Sequence, residues 1–188
     1  MHESGQPIPF SADSAEARGV YVGLGSNMGD SASMLAKARE GIAALPGVLI
    51  TASSSLYETE PQGDADQPFF VNQVLCATCP ENMDAVAFLT SLQHLETALG
   101  RERSPGRRFG PRLIDLDLLL FGNKRMNTKL LTLPHPRMLE RAFVLAPLAE
   151  IAPDMVLPQG LTVSEALARL SYSREGNRIY QDAAGKTL

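Results

Sequence analysis

A chain of 188 residues and 20.3 kDa fits one domain, large enough to bury a core without disulfides or metals as staples. Its net charge of −4 excludes a general nucleic-acid binder, which would be basic. Hydrophobic residues make up 44%, yet no apolar run nears the ~18 residues of a helical membrane span, so that class is excluded as well.

The first 18 residues, "MHESGQPIPFSADSAEAR", lack the basic start and apolar centre of a signal peptide and are read as a mobile extension, which points to the cytoplasm. "GVYVGLGSN" (19–27) predicts the first strand. "DSASMLAKAREGIAAL" predicts a helix with Asp30 or Ser31 as N-cap, a stripe of Leu35, Ala38, Ile42 and Leu45, and a stop at Pro46-Gly47. "VLITASSSLYET" (48–59) is a second strand, and the loop "EPQGDADQP" leads to the alternating strand "FFVNQVLCATC" (69–79). Its Cys76 and Cys79 form a C-x-x-C, but zinc needs a second pair of ligands, and an offset of three in a strand puts the thiols on opposite faces. Two buried, reduced cysteines are expected. Residues 82–99 form the strongest helix, with Phe88, Leu92, Leu95 and Leu99 on one stripe and Gly100 ending it. A strand over 113–121 follows.

This order, β-α-β-β-α-β, is the ferredoxin-like arrangement, an α/β (α+β) single domain with an antiparallel sheet flanked by helices over 19–170. Beyond it "KLLTL" adds a short strand, and "RMLERAFVLAPLAEIAP" and "TVSEALARL" add helical segments. The polar tail 171–188 is expected to be loosely held.

Two phosphate signatures nearly form and fail. Gly23, Gly25 and Gly29 are one residue off the dinucleotide fingerprint, with no acidic ribose ligand placed to complete it. "GKT" at 185–187 lacks the upstream glycine of a P-loop and has no helix to follow. A nucleotide would therefore be held by side chains.

"RRFGPRLIDLDLLLFG" (107–122) offers those side chains. Asp115 and Asp117 share one strand face, roughly 6–7 Å apart at Cβ, while Leu116, Leu118 and Leu120 are expected on the opposite, core face. Such a pair can grip one or two hard divalent cations with positions left for phosphate oxygens. A lone D-x-D is ordinarily two solvated acids at a strand end. Here Arg101, Arg103, Arg107, Arg108 and Arg112 put five of thirteen arginines into twelve residues, with no lysine among them. Guanidinium forks bind phosphate oxygens with two parallel hydrogen bonds, so carboxylates with Mg²⁺ on one side and arginines on the other make a phosphoryl-transfer site. "LPHPRMLERAF" adds His135 between prolines beside Arg137 and Arg141, which lie a helical turn apart.

The pieces "VGLGSNMGD", "YETEPQGDADQPFFVN", "GRERSPGRRFGPRLIDLDLLLFG" and "LTLPHPRMLERAFVLAPLAEIAP" resemble, in order and over about residues 20–160, the 6-hydroxymethyl-7,8-dihydropterin pyrophosphokinase family of folate biosynthesis. The resemblance implies transfer of the β,γ-diphosphate of ATP to the pterin hydroxymethyl oxygen, with AMP released. It implies two Mg²⁺ ions on Asp115 and Asp117, with Arg101 and Arg112 catalytic beside them. Gln93, Glu96, Arg103, Leu118, Thr132, His135 and Arg141 fall on the ATP side. Thr59, Phe70, Asn72, Phe109, Asp115 and Phe143 fall on the pterin side. Phe109 stands where many relatives have Trp, Phe70 where Tyr is common, Glu60 and Gln62 where apolar lid residues are common, and Leu130 where an adenosine-side arginine can occur. The partners implied are small molecules, with no nucleic acid, membrane or obligate protein partner. A nucleotide-sugar glycosyltransferase also uses D-x-D but has a much larger catalytic domain. A ferredoxin-like RNA-binding module would have a basic sheet, where Asp115 and Asp117 would repel the backbone.

Overall fold

The computed structural model describes residues 18–61, 66–101 and 110–181. In chain order they form β1 (Arg18–Ser26), α1 (Ser31–Ala43), β2 (Leu49–Ser53), β3 (Tyr57–Thr59), β4 (Phe70–Cys79), α2 (Ala85–Ala98) and β5 (Asp115–Phe121). The hairpin β6 (Met126–Asn127) and β7 (Thr132–Leu133), a 3-10 turn (Met138–Glu140), α3 (Ala142–Ile151), α4 (Val163–Ala168), β8 (Ser173–Glu175) and β9 (Arg178–Tyr180) complete the chain. Strands run in the order β5-β1-β4-β3-β9-β8, with β2 also on β4. The four ferredoxin-like strands pair antiparallel as expected, and β9 makes the sheet mixed by running parallel to β3. Among the described residues no helix is long and apolar enough to cross a membrane.

Local chemistry sets the helix ends. Asp30 is the cap of α1, its carboxylate accepting from Ser33 N–H at 3.0 Å. Asp84 accepts from Val86 and Ala87 N–H, both at 2.8 Å, so α2 starts at Ala85, inside the predicted span. Gly41 lets the two helices meet: a Cβ there would lie 2.5 Å from Leu95 Cδ1. Leu35, Ala38 and Ile42 of α1 and Phe88 and Leu92 of α2 bury against one sheet face, with Val20, Val22, Leu116 and Leu118 beneath them. On the other face Val74, Leu119 and Leu120 pack under Leu145 and Leu148 of α3 and under α4.

Several expectations change here. Leu120 lies on the α3 face, not with Leu116 and Leu118, because the β1–β5 register skips Leu119 between Tyr21 and Val22. Such a bulge flips the alternation. The strand expected over 48–59 is split at 54–56: Ser54 Oγ accepts from Val74 N–H at 3.0 Å, while Ser55 N–H and Oγ donate to Glu150 of α3. The single helix expected around Arg141 is broken at Arg141 itself, which is extended (φ −119°, ψ 107°) between the 3-10 turn and α3. Within the tail expected to be loose from Ser171, residues 173–180 fold as a hairpin whose Ile179 is buried, and residues 182–188 lie outside the described residues. Cys76 and Cys79 do point to opposite faces, Cys79 fully buried and Cys76 partly so. The N-terminal extension lies, up to residue 17, outside the described residues.

Candidate active site

The site forms where β5 and β1 present their α3-side face. Gly23 lies opposite Asp117 and Gly25 opposite Asp115. The near-fingerprint "GLG" thus works as a strand face stripped of side chains, leaving a bare floor beside two carboxylates. Gly25 also permits close approach from β4: a Cβ there would sit 2.9 Å from Asn72 Oδ1. Asn72 is buried and donates from Nδ2 to Thr59 Oγ1 at 2.7 Å, which fixes its amide over that floor.

Asp115 is gripped from two sides. Arg101 donates from Nη1 to Asp115 Oδ1 at 2.8 Å and also to Glu96 Oε1. Arg112 donates from Nη1 to Asp115 Oδ2. Glu96 is buried, and its Oε1 accepts in addition from Leu116 N–H at 2.7 Å. Glu96 therefore braces Arg101 and the start of β5. Arg112 is held in turn by Asn27, whose Oδ1 accepts from Arg112 N–H at 2.7 Å while its own N–H donates to Arg112 C=O at 3.0 Å. The Asn27 Nδ2 reaches Gln67 Oε1 at 3.0 Å and Pro68 C=O at 3.1 Å, linking the two loops of the site.

Asp117 has a looser partner, Arg141 Nη1 at 3.6 Å. Burial and the adjacent Asp115 charge push its carboxyl up to about 6. Arg141 lies 5.2 Å over the Phe143 ring, and its buried Nε has no hydrogen-bond partner among the described residues. Burial and Arg137 push the Arg141 guanidinium below its ordinary value. Burial, with Arg141 and Arg137, pushes His135 down to about 4, so its imidazole is neutral. The locality asks for an anion.

Two clefts meet at the carboxylates. One, of about 110 Å³, is lined by Thr59, Phe70, Asn72 and Phe143 above the Gly23–Gly25 floor. The other, of about 310 Å³, is lined by Leu89, Gln93, Glu96 and Arg101. Arg112, Asp115, Asp117, Arg137 and Arg141 line both. Most of the residues expected on the pterin side thus fall in one cleft and several expected on the ATP side in the other. Leu118 does not join them: its side chain is buried in the α1–α2 core. Thr132 is turned to Asn127 Oδ1 at 3.2 Å in the β6–β7 hairpin. His135 lines neither cleft, though it lies within the field of Arg141 and Asp115. Arg103, Arg107, Arg108 and Phe109 lie outside the described residues.

The sequence model of the family described as 7,8-dihydro-6-hydroxymethylpterin-pyrophosphokinase matches residues 21–153. The chain belongs to that family. Over 153 residues it is 48% identical to the 2-amino-4-hydroxy-6-hydroxymethyldihydropteridine pyrophosphokinase of Methylorubrum extorquens, a match covering 81% of this chain and 94% of that one. The enzyme of the same name from Pseudomonas aeruginosa is 44% identical over 149 residues, covering 79% and 90%. A crystal structure of Plasmodium falciparum HPPK-DHPS with pterin and p-hydroxybenzoate shares the fold at 13% identity and a TM-score of 0.61, covering 89% of this chain and 50% of that one. The chain spans about half the length of that solved chain. As a family member it is a pyrophosphokinase, a diphosphotransferase enzyme. The family match ends before α4 and the β8–β9 hairpin.

The sequence reading passed over Gly23, Gly25, Asn27 and Gln67 as site residues. Asn27 carried a signal, a polar residue directly after an apolar strand. The two glycines lie one residue off the dinucleotide fingerprint, and their role follows only from their pairing opposite Asp115 and Asp117.

Proposed function

We propose that the chain transfers the β,γ-diphosphate of ATP to the hydroxymethyl oxygen of 6-hydroxymethyl-7,8-dihydropterin in folate biosynthesis, with Mg²⁺, yielding AMP and the pterin diphosphate. The observation that carries this reading is the pair Asp115 and Asp117 on the wall shared by two clefts, ringed by Arg101, Arg112, Arg137 and Arg141. The cleft over the Gly23–Gly25 floor suits a flat pterin: Phe70 and Phe143 are its apolar walls, and Asn72 reads its polar edge. The cleft lined by Leu89, Gln93 and Arg101 suits the nucleotide.

The donor set fits Mg²⁺. Both groups are carboxylates on one strand face, and burial together with the adjacent Asp115 charge raises the proton affinity of Asp117, a cost that a bound cation would offset. They leave most of a six-oxygen shell to water and phosphate, as magnesium prefers. Bound there, the ions would neutralise phosphate charge and hold the β-phosphorus in line with the attacking oxygen.

The protein's part is positioning. Asn72 and Thr59 orient the pterin so that its hydroxymethyl oxygen faces the carboxylate wall. That oxygen forms a bond to the β-phosphorus as the bond from the β-phosphorus to the α,β-bridging oxygen breaks. AMP leaves with that bridging oxygen, and the hydroxyl proton passes to solvent. Arg101 and Arg112 release Asp115 and place their guanidinium groups on the phosphate oxygens, where negative charge spreads. Arg141 turns its unpartnered Nε to the same anion.

The test is a product assay: ATP, Mg²⁺ and the hydroxymethyl-dihydropterin should give AMP and the pterin diphosphate in equal amounts. ADP as product, or no turnover, refutes the reading.

A further inference from the structure

Arg141 occupies an unusual backbone position, extended between two helical pieces and preceding α3 without a side-chain cap of its own. The missing cap comes from the far end of the chain. Gln181 Oε1 accepts from Ala142 N–H at 2.7 Å, and Gln181 Nε2 donates to Glu140 C=O at 2.9 Å. One amide therefore holds the backbone on both sides of Arg141. Gln181 is itself anchored, because β9 pairs in register with β3, Ile179 opposite Thr59. Ile179 is buried with Tyr57, Ala142 and Ala146. Arg178 pairs with Glu58 and lies 5.4 Å over the Phe69 ring, next to the pterin-side Phe70.

We propose that Gln181 is a positioning residue for Arg141, and that the C-terminal strand ties the substrate wall at Thr59 to the phosphate arginine. The inference rests on the reading of Arg141 as a phosphate ligand. Arg141 C=O is held by Val144 and Leu145 N–H at 3.0 and 2.9 Å, so the Glu140–Arg141 peptide is the one that depends on Gln181, and its turning would swing the guanidinium away from the wall between Asp117 and Phe143. A displacement of about 1 Å at such a group costs on the order of tenfold or more in rate.

Steady-state kinetics and melting temperature on the full chain decide it. Gln181→Ala should lower kcat/KM for ATP about tenfold while the pterin KM stays within about twofold. Gln181→Glu, which keeps the acceptor for Ala142 N–H but sets a carboxylate against Glu140 C=O, should recover less than half of that loss. A lower melting temperature with unchanged kcat/KM would overturn the proposal, since Gln181 would then be a structural cap only. Arg141→Ala separates the two layers. If it is impaired while Gln181→Ala is not, the Gln181 role alone falls. If Arg141→Ala is silent, the phosphate role of Arg141 falls and the Gln181 role with it. Should Gln181→Ala not fold, Gln181→Asn, one methylene short of both peptide groups, carries the same kinetic test.

Discussion

Gly25→Ala is the smallest change that probes the substrate cleft. A Cβ would lie 2.9 Å from Asn72 Oδ1, where ordinary contact begins at 3.4 Å, so the amide must retreat by about 0.5 Å. It has little freedom to do so, because its Nδ2 is bonded to Thr59 Oγ1 at 2.7 Å inside a buried strand pair. Weakening that bond costs about 1 kcal/mol, and an edge contact to the pterin mispositioned with it costs about another. Roughly 2 kcal/mol corresponds to about a 30-fold loss in kcat/KM for the pterin. The ATP KM should hardly move, since neither residue lines the nucleotide cleft. A double-mutant cycle supplies the sharper measurement: Gly25→Ala should add almost nothing to Asn72→Ala, because the damage passes through that amide. Near-normal pterin kinetics in Gly25→Ala, or additivity with Asn72→Ala, would refute the reasoning.

The Asp117 carboxyl, held up at about 6, predicts a pH dependence with a definite sign. Below that value it is protonated and a poor cation ligand, so Mg²⁺-dependent nucleotide binding should weaken as pH falls through 6, and added Mg²⁺ should move the midpoint lower. In the metal-free protein the raised value favours folding at low pH, and this contribution is lost as pH rises from 3.8 through about 6. Mg²⁺ should accordingly raise the melting temperature more at pH 7.5 than at pH 5, and Asp117→Asn should flatten that difference; a difference that survives the substitution counts against the assignment. Arg112→Ala should lower kcat by about 10²–10³ with the ATP KM within about threefold, as expected for a group that meets charge developing in the transition state. A loss confined to KM would contradict that role.

How much could be read ahead follows the range of the forces involved. The strands and helices of the ferredoxin-like core were legible because apolar periodicity is local, as in Leu35, Ala38 and Ile42 or Phe88 and Leu92. Asp115 and Asp117 were legible because a two-residue offset fixes a shared face. Leu120 was misplaced because a bulge at Leu119 is a property of pairing with β1, which the β5 sequence does not display. The C-terminal hairpin was missed for a related reason: its alternation is short and polar, and its one buried anchor, Ile179, has value only against Tyr57 and Ala142. The break at Arg141 depends on an acceptor forty residues on, and Gly25 acquires meaning only when Asn72 lies above it.

The double pairing of Asp115 bears on how such a charged wall can exist before substrate arrives. Three acids, Glu96, Asp115 and Asp117, sit in a recess with Arg101, Arg112, Arg137 and Arg141. Acids buried alone would repel and take up protons, and arginines buried alone would resist desolvation. Paired with each other, as Arg101 and Arg112 are with Asp115, both are tolerated. On the proposed reading, Asp115 would hold a cation that arrives with the triphosphate, and Arg101 and Arg112 would pass from Asp115 to the phosphate oxygens. Every charge then changes partner and none is left unpaired, so the barrier to loading is the exchange itself. Glu96 is the exception, since its bond to Leu116 N–H keeps it in place and gives Arg101 a fixed pivot through the exchange. Glu96→Gln would remove the charge that draws Arg101 away from Asp115, so the existing Arg101–Asp115 pair would tighten and the Mg²⁺ concentration needed for half-maximal turnover should rise; an unchanged Mg²⁺ requirement would count against the pivot.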